Sequence, residues 1–330
     1  MHLILRGICA ILMTEKGGMI LEQLFIAIDG GGTKTEAVIC DRSGKIISHR
    51  LAGGSNLNAT DAQSVADNLR IVTKDVENGY LFAGIAGALN CGERLHQMLP
   101  HKDTLTVSVG SDAVNMLSAG LLHADGCGII CGTGSVCFAR IGETLHRIGG
   151  WGYLFDGKGS GYDIGRDAIS AVLRQFDGRG KATLLSDMIV QKYGHSAADH
   201  LSAYYQAGRD EIASHSTMVF AAAEAGDEIA CDIVRTNMAA LAEEIACAAR
   251  HFDGTFPVTL TGGILTNCPL ALKLLQEAAP KQATLTVCPA PPVFGALVEA
   301  RKLAGLITTE DDRAEFISQY HRIKKETQNG

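Results

Sequence analysis

At 330 residues the chain is long enough for two domains of ordinary size, each with its own core. Hydrophobic residues make up 46% and charged residues 20%, and the net charge of −7 comes without any Lys/Arg block, which excludes a nucleic-acid surface built on clustered basic side chains. No run reaches the ~18 apolar residues of a membrane span, and ten cysteines without regular spacing read as free thiols of a reducing cytoplasm rather than as a disulfide framework.

The stretch from Leu3 to Met13 is apolar, is interrupted by Arg6, and is followed by no clear cleavage site; it reads as an extension upstream of Met19. Phe25 to Ile28 is then an apolar run, Asp29 to Glu36 is a Gly-rich turn (Asp29-Gly30-Gly31-Gly32-Thr33-Lys34-Thr35-Glu36), and Ala37 to Cys40 is a second apolar run. This is a hairpin signal, because glycine supplies the backbone angles a tight turn needs. Adjacent glycines also leave N–H groups with no side chains before them, so an anion can approach closely. The device differs from a Walker loop and from a dinucleotide fingerprint, since a strand and not a helix follows it.

A third strand is expected over Lys45–Leu51, a loop over Ala52–Asn58, and a helix over Asp61–Val76 with Asp61 as N-cap and Val65, Leu69 and Val72 at helical spacing. Strand Leu81–Ile85, helix Gly92–Leu99, strand Leu105–Val109 and helix Val114–Leu122 follow. The hairpin pattern then recurs: Gly128 to Cys131, the turn Gly132-Thr133-Gly134-Ser135, and Val136 to Arg140. Glu143–Ile148 adds a strand, Gly149-Gly150-Trp151-Gly152 a corner, and Tyr162 to about His251 is mainly helical. Strand Phe256–Leu260 leads into a third turn, Thr261-Gly262-Gly263; helix Leu270–Ala278, strand Ala283–Cys288 and helices from Phe294 and Glu310 close the chain. The layout predicts an α/β protein of two ribonuclease-H-like halves with a nucleotide cleft between them. The expected domains are an extension over 1–23, an N-terminal domain over 24–122, and a C-terminal domain with a helical insertion over 123–330.

Asp112 stands where a strand gives way to a helix, the place where open α/β sheets carry active residues; it can act as general base for a substrate hydroxyl or simply cap the helix beside Ser111. Asp29 can hold Mg²⁺, directly or through water, or serve as a turn carboxylate. Thr33 and Thr133 can donate to phosphate, and Lys34 can pair with it or face solvent. Asn56 and Asn58 suit vicinal hydroxyls, though loop asparagines also form turns. Trp151, the single tryptophan, offers an apolar face to a sugar ring or belongs to the core.

These strings, with Gly53-Gly54-Ser55-Asn56, Ser111-Asp112-Ala113 and Gly159-Ser160-Gly161-Tyr162, occur in the order seen in N-acetylglucosamine kinases and their BadF/BadG/BcrA/BcrD-type ATPase relatives, and the chain resembles that family from about Phe25 to Ala304. The resemblance implies an actin/hexokinase-like fold, with two domains closing over ATP–Mg²⁺ and an amino sugar. It implies Asp112 as catalytic base, Gly31, Gly32, Thr33, Lys34, Gly132, Thr133 and Gly134 at the phosphates, and Gly262 and Gly263 beside the adenosine. It also implies a sugar site of Asn56, Ser135, Gly150, Trp151, Asp156 and Lys158. One departure stands out: where the kinases continue Gly-Asp-Glu-Gly-Ser, this chain has Asp156-Gly157-Lys158-Gly159-Ser160. A cation there suits an anionic sugar such as N-acetylmuramic acid.

The expected activity is phosphorylation of N-acetylglucosamine or N-acetylmuramic acid, at the 6-OH, by a cytoplasmic enzyme that could be a homodimer. Two alternatives are a BadF-type ATPase that activates an iron–sulfur dehydratase or reductase, and a non-catalytic sugar-binding regulator. The cysteines lack a recognisable cluster spacing, and no DNA-binding segment precedes Phe25.

Overall fold

The computed structural model describes residues 23–329, with side chains to 326, and before them the backbone of three short strands, β1 (Ile4–Leu5), β2 (Ala10–Met13) and β3 (Met19–Leu21). Apart from those strands, the expected extension over 1–23 lies outside the described residues.

The chain forms two compact units. One comprises Met1–Ala124 and Cys288–Gly330, the other Asp125–Val287. The first unit thus takes its chain from both sides of the second in sequence. Helix α12 (Pro292–Leu303) packs on α3 (Asp112–Leu121) and on strand β4 (Phe25–Gly30), which returns the C-terminal segment to the first unit.

In the first unit, β4, β5 (Lys34–Cys40), β6 (Ile46–Gly53), β7 (Gly79–Ile85) and β8 (Leu105–Gly110) make a five-stranded sheet of order β6-β5-β4-β7-β8. Strands β4, β5 and β6 are antiparallel, and β7 and β8 run parallel to β4. Both faces are covered, which is why β4 reads as a continuous apolar run rather than an alternating one. Ile26, Ile28, Ala37 and Ile39 pack with Val65, Leu69 and Val72 of α1 (Ala62–Val72) and Leu95 of α2 (Ala88–Gln97). Phe25, Ala27, Val38 and Cys40 pack on the other face with Val293, Phe294 and Leu297 of α12 and Phe316 and Tyr320 of α13 (Glu310–Asn329). Asp61 caps α1 as expected, its carboxylate accepting from Ser64 N at 2.9 Å, although the helix ends at Val72.

In the second unit, β9 (Gly126–Cys131), β10 (Ser135–Ile141), β11 (Thr144–Ile148), β12 (Phe256–Thr261) and β13 (Ala283–Val287) are ordered β11-β10-β9-β12-β13. The sequence of antiparallel and parallel pairings is the same as in the first sheet. Between β11 and β12 run α4 (Gly161–Phe176), α5 (Leu184–Tyr193), α6 (Leu201–Gln206), α7 (Arg209–Ser214), α8 (Ser216–Glu224) and α9 (Glu228–Ala248). Short α10 (Gly263–Asn267) and α11 (Pro269–Ala278) follow β12. No helix among the described residues is long and apolar enough to cross a membrane.

Candidate active site

The first hairpin closes with Gly31 N donating to Lys34 O at 2.9 Å, below the cross-strand pairs Asp29–Glu36 and Gly30–Thr35. Directly opposed residues of an antiparallel pair share a face. Asp29 and Glu36 therefore lie with Phe25, Ala27 and Val38 on the side covered by α3, α12 and α13. Loop 54–56 docks on the turn, since Ser55 N and Asn56 N both donate to Gly31 O, at 2.9 and 3.2 Å. The approach needs a glycine at 54, where a Cβ would collide with the backbone of Gly32. Asn56 is thereby brought beside the turn. Its side-chain oxygen accepts from Asn58 N at 2.9 Å, so it is also a turn former.

Asp29 is held by a residue that the sequence did not single out. Asn115, fully buried in α3, donates from Nδ2 to Asp29 Oδ1 at 2.8 Å and to Gly84 O at 3.1 Å. Burial, together with the negative charges of Asp112 and Glu36, pushes the Asp29 carboxyl up to about 6, against the lowering effect of Asn115 and Lys34. Glu36 is the opposite case. Burial would raise its pKa, but hydrogen bonds from His49 Nε2 (2.7 Å) and Tyr320 OH (2.6 Å) and the nearby Lys34 outweigh that, and the carboxyl is held well below its usual range. Lys34, expected at a phosphate, is paired with Glu36 at 3.1 Å, and Lys324 of α13 reaches the same carboxylate at 3.2 Å. The signal for Glu36 was a lone acid opening an apolar strand. Its partners, up to 288 positions away, gave none.

Asp112 is half-buried at the first position of α3. Ser111 caps the helix by accepting from Ala113 N, and its hydroxyl donates to Asp112 Oδ1 at 2.9 Å. Helix capping thus falls to Ser111, and Asp112 brings its negative charge to the helix N-terminus, where the dipole favours it.

In the second unit the turn closes with Gly132 N to Gly134 O at 2.9 Å. The start of α4 docks on it, with Gly161 N donating to Gly132 O at 2.7 Å and Tyr162 N to Thr133 O at 3.1 Å. Gly262, with φ +94°, lies against the backbone of Cys131, where any Cβ would collide. These close approaches bring Gly132, Thr133 and Gly263 to one cavity of about 570 Å³. Its other wall comes from α7 and α8, including Ser214, Ser216 and Glu224, residues whose part in it the sequence did not indicate.

Of the other expected sugar residues, Ser135 opens β10, and Gly150, Trp151, Asp156 and Lys158 lie along the chain between β11 and α4. Trp151 is 64% exposed, with the Arg147 guanidinium 4.5 Å over its ring, so it is not a core residue. Gly150 has φ +68° and packs on Val136. Ser135 donates to Lys158 O at 2.9 Å, and Asp156 N donates to Gly152 O at 2.8 Å. The Lys158 ammonium pairs with Asp167 at 3.1 Å, and Asp167 is bonded in turn by Asn237 Nδ2 at 3.1 Å. Among the described residues no three His, Cys, Asp or Glu side chains are grouped as metal ligands.

Residues 26–300 match the BadF/BadG/BcrA/BcrD ATPase family, and the chain belongs to it. Among curated relatives, the N-acetylmuramic acid/N-acetylglucosamine kinase of Clostridium acetobutylicum is 30% identical over 73% of this chain and 85% of its own length. The N-acetyl-D-glucosamine kinase of Dictyostelium discoideum is 28% identical over 78% of this chain and 90% of its own. A solved protein of Chromobacterium violaceum, provisionally assigned as an N-acetylglucosamine kinase, shares the fold with a TM-score of 0.65 at 20% identity, over 84% of this chain and 99% of that one.

Proposed function

We propose that this protein is an ATP-dependent amino-sugar kinase that transfers the γ-phosphate of ATP to a hydroxyl, the 6-OH in this reading, of N-acetylglucosamine or N-acetylmuramic acid. The observation that carries the reading is the cavity joining the Gly132–Thr133 turn to Gly263, in a member of an ATPase family whose relatives in C. acetobutylicum and D. discoideum are amino-sugar kinases. The N–H groups of Gly32 and Gly134 and the hydroxyls of Thr33 and Thr133 suit phosphate, Gly31 and Gly132 close the turns that present them, and Gly262 and Gly263 suit the nucleoside. Asp112 accepts the proton of the attacking hydroxyl as its oxygen bonds to phosphorus and the bond to ADP breaks.

Asp29 fits a hard divalent cation. It offers oxygen donors and sits buried beside the like charges of Asp112 and Glu36, which a bound cation would relieve. Mg²⁺ there would neutralise phosphate charge. The sugar falls to Asn56, Ser135, Gly150, Trp151, Asp156 and Lys158, with the exposed indole as an apolar platform. No disulfide links the cysteines among the described residues, which suits a reducing cytoplasm.

Lys158 bears on substrate choice. Its ammonium, shared with Asp167, is the cation for the lactyl carboxylate of N-acetylmuramic acid. Lys158→Ala should raise KM for that sugar about tenfold and leave N-acetylglucosamine within about twofold; equal loss on both removes the assignment. The activity itself is tested by ADP release from Mg²⁺–ATP with N-acetylglucosamine, N-acetylmuramic acid, glucosamine or no sugar, alongside Asp112→Asn. Release that needs an amino sugar and collapses in the variant supports the kinase. Sugar-independent release overturns it.

A further inference from the structure

His215 lies at the junction where α7 gives way to α8, and it is fully buried. Its Nδ1 faces two backbone carbonyls, Glu211 O at 3.0 Å and Ile212 O at 3.2 Å, so Nδ1 carries the proton and donates. Nε2 is then an acceptor, and the Tyr193 hydroxyl at 3.0 Å donates to it. The ring lies parallel to Tyr193 (5.8 Å, 24°) and edge-on to Tyr204 (5.6 Å, 72°). A buried imidazole with both nitrogens satisfied ties the α7–α8 junction to Tyr193 of α5.

The residues on either side of it, Ser214 and Ser216, line the cavity that holds the Gly132–Thr133 turn. A second route leads to the same turn. Helix α4 starts on Gly132 O and Thr133 O, and one turn along it Gly165 packs against Ile212 O and the His215 Cβ, where a larger residue would collide. The junction is therefore tied to the phosphate turn on one side and forms the cavity wall on the other.

We propose that His215, held in its Nδ1–H form by Tyr193, is a positioning residue for nucleotide binding, setting the α7–α8 wall against the Gly132–Thr133 turn. The inference depends on the nucleotide assignment of this cavity and not on the identity of the sugar. The charged and titratable groups facing the ring are Tyr193 and Lys192 from α5, Tyr204 from α6 with His200 just before it, and Glu211 from α7; α4 presents only Gly165. Of these, the Glu211 carboxylate favours a second proton on the ring, but it is outweighed. Burial, with Lys192 adding to it, holds the imidazole below its usual pKa.

The test is calorimetric binding of a non-hydrolysable ATP analogue with Mg²⁺, without sugar, to the full chain and to Tyr193→Phe and His215→Gln, from pH 8 to pH 5.5. Tyr193→Phe keeps the ring and loses one hydrogen bond. It is expected to fold, to bind the analogue about five- to tenfold more weakly, and to keep its sugar KM within about twofold, the size of a lost buried hydrogen bond confined to one substrate. Wild-type affinity should fall toward pH 5.5 more steeply than that of His215→Gln, in which only the titration at Asp29 remains. Analogue affinity within twofold of wild type in folded Tyr193→Phe overturns the proposal, as does equal weakening of both substrates, or a wild-type chain that binds no adenine nucleotide. A chain that binds the analogue but phosphorylates no amino sugar overturns the kinase reading and leaves this inference standing.

Discussion

Beneath the first Gly-rich turn the cross-strand pair is Asp29 with Glu36; at the corresponding place beneath the second it is Ile130 with Val136. The strand order around the two hairpins is the same, and each turn is closed by a glycine N–H to a carbonyl, Gly31 to Lys34 in the first and Gly132 to Gly134 in the tighter second. A duplicated hairpin thus presents bare N–H groups twice, while only one copy carries carboxylates. In the first unit the face under the turn is covered by α3, α12 and α13, which bring Asn115, Tyr320 and Lys324 to those acids. In the second, the turn is braced by the backbone of α4, and Val136 meets Gly150. One copy is organised around charge, the other around shape.

The largest effect expected to sharpen that contrast is on Asp112. Asp112→Asn should lower kcat by about 10²–10⁴ with an unchanged melting temperature, read by coupled ADP assay and calorimetry, since it removes the proton acceptor and keeps the Ser111 cap. Next is the pair beneath the first turn. Glu36→Ala strands buried partners and should cost about 3–5 kcal/mol in urea unfolding, against roughly 1 kcal/mol for Val136→Ala beneath the second. Equal losses would break the comparison. Glu36 has a depressed folded pKa, so its stabilisation is complete above the ordinary carboxyl range and is lost as pH falls below it.

Asp29 has the reverse sign. With its carboxyl pushed up to about 6, the folded state takes up a proton that the unfolded state lacks between the ordinary value of 3.8 and 6, so stability falls as pH rises through that window. Asp29→Asn keeps the acceptor for Asn115 and removes the charge. It should raise the melting temperature at pH 7 by about 2–4 °C while activity falls at least tenfold. An unchanged or lower melting temperature would show that the charge is already compensated. The smallest effect concerns Glu244 of α9, pushed up to about 8 by burial and by Asp156. The folded state holds a proton there at pH 7 that the unfolded state lacks, so stability falls as pH rises from the ordinary 4.5 to 8 and is level above; Glu244→Gln should raise stability at pH 7 by about 0.5 kcal/mol and flatten the decline between pH 5 and pH 8.

Local chemistry made the strands and turns legible. The continuous burial of β4, the Asp61 cap and both Gly-rich turns are specified by residues within a few positions of one another, and the structure has them close to where spacing puts them. Helix ends were less legible: α2 begins at Ala88 rather than Gly92 and carries a non-helical Cys91. The site was legible where glycine or an acid stood at a strand end. It was not where a side chain works through distant partners, as with Asn115 holding Asp29, or where a wall is made by short helices with weak periodicity, as with α7 and α8.

By itself the sequence determined the duplicated hairpin and the order of strands and helices, because turn conformation and face burial are local properties of the chain. The tertiary structure decided what surrounds them. It returned Cys288–Gly330 to the first unit, brought Tyr320 and Lys324 to Glu36, and set Asn115 on Asp29. Those outcomes depend on contacts between segments far apart in the chain, and no local preference of either segment encodes its partner.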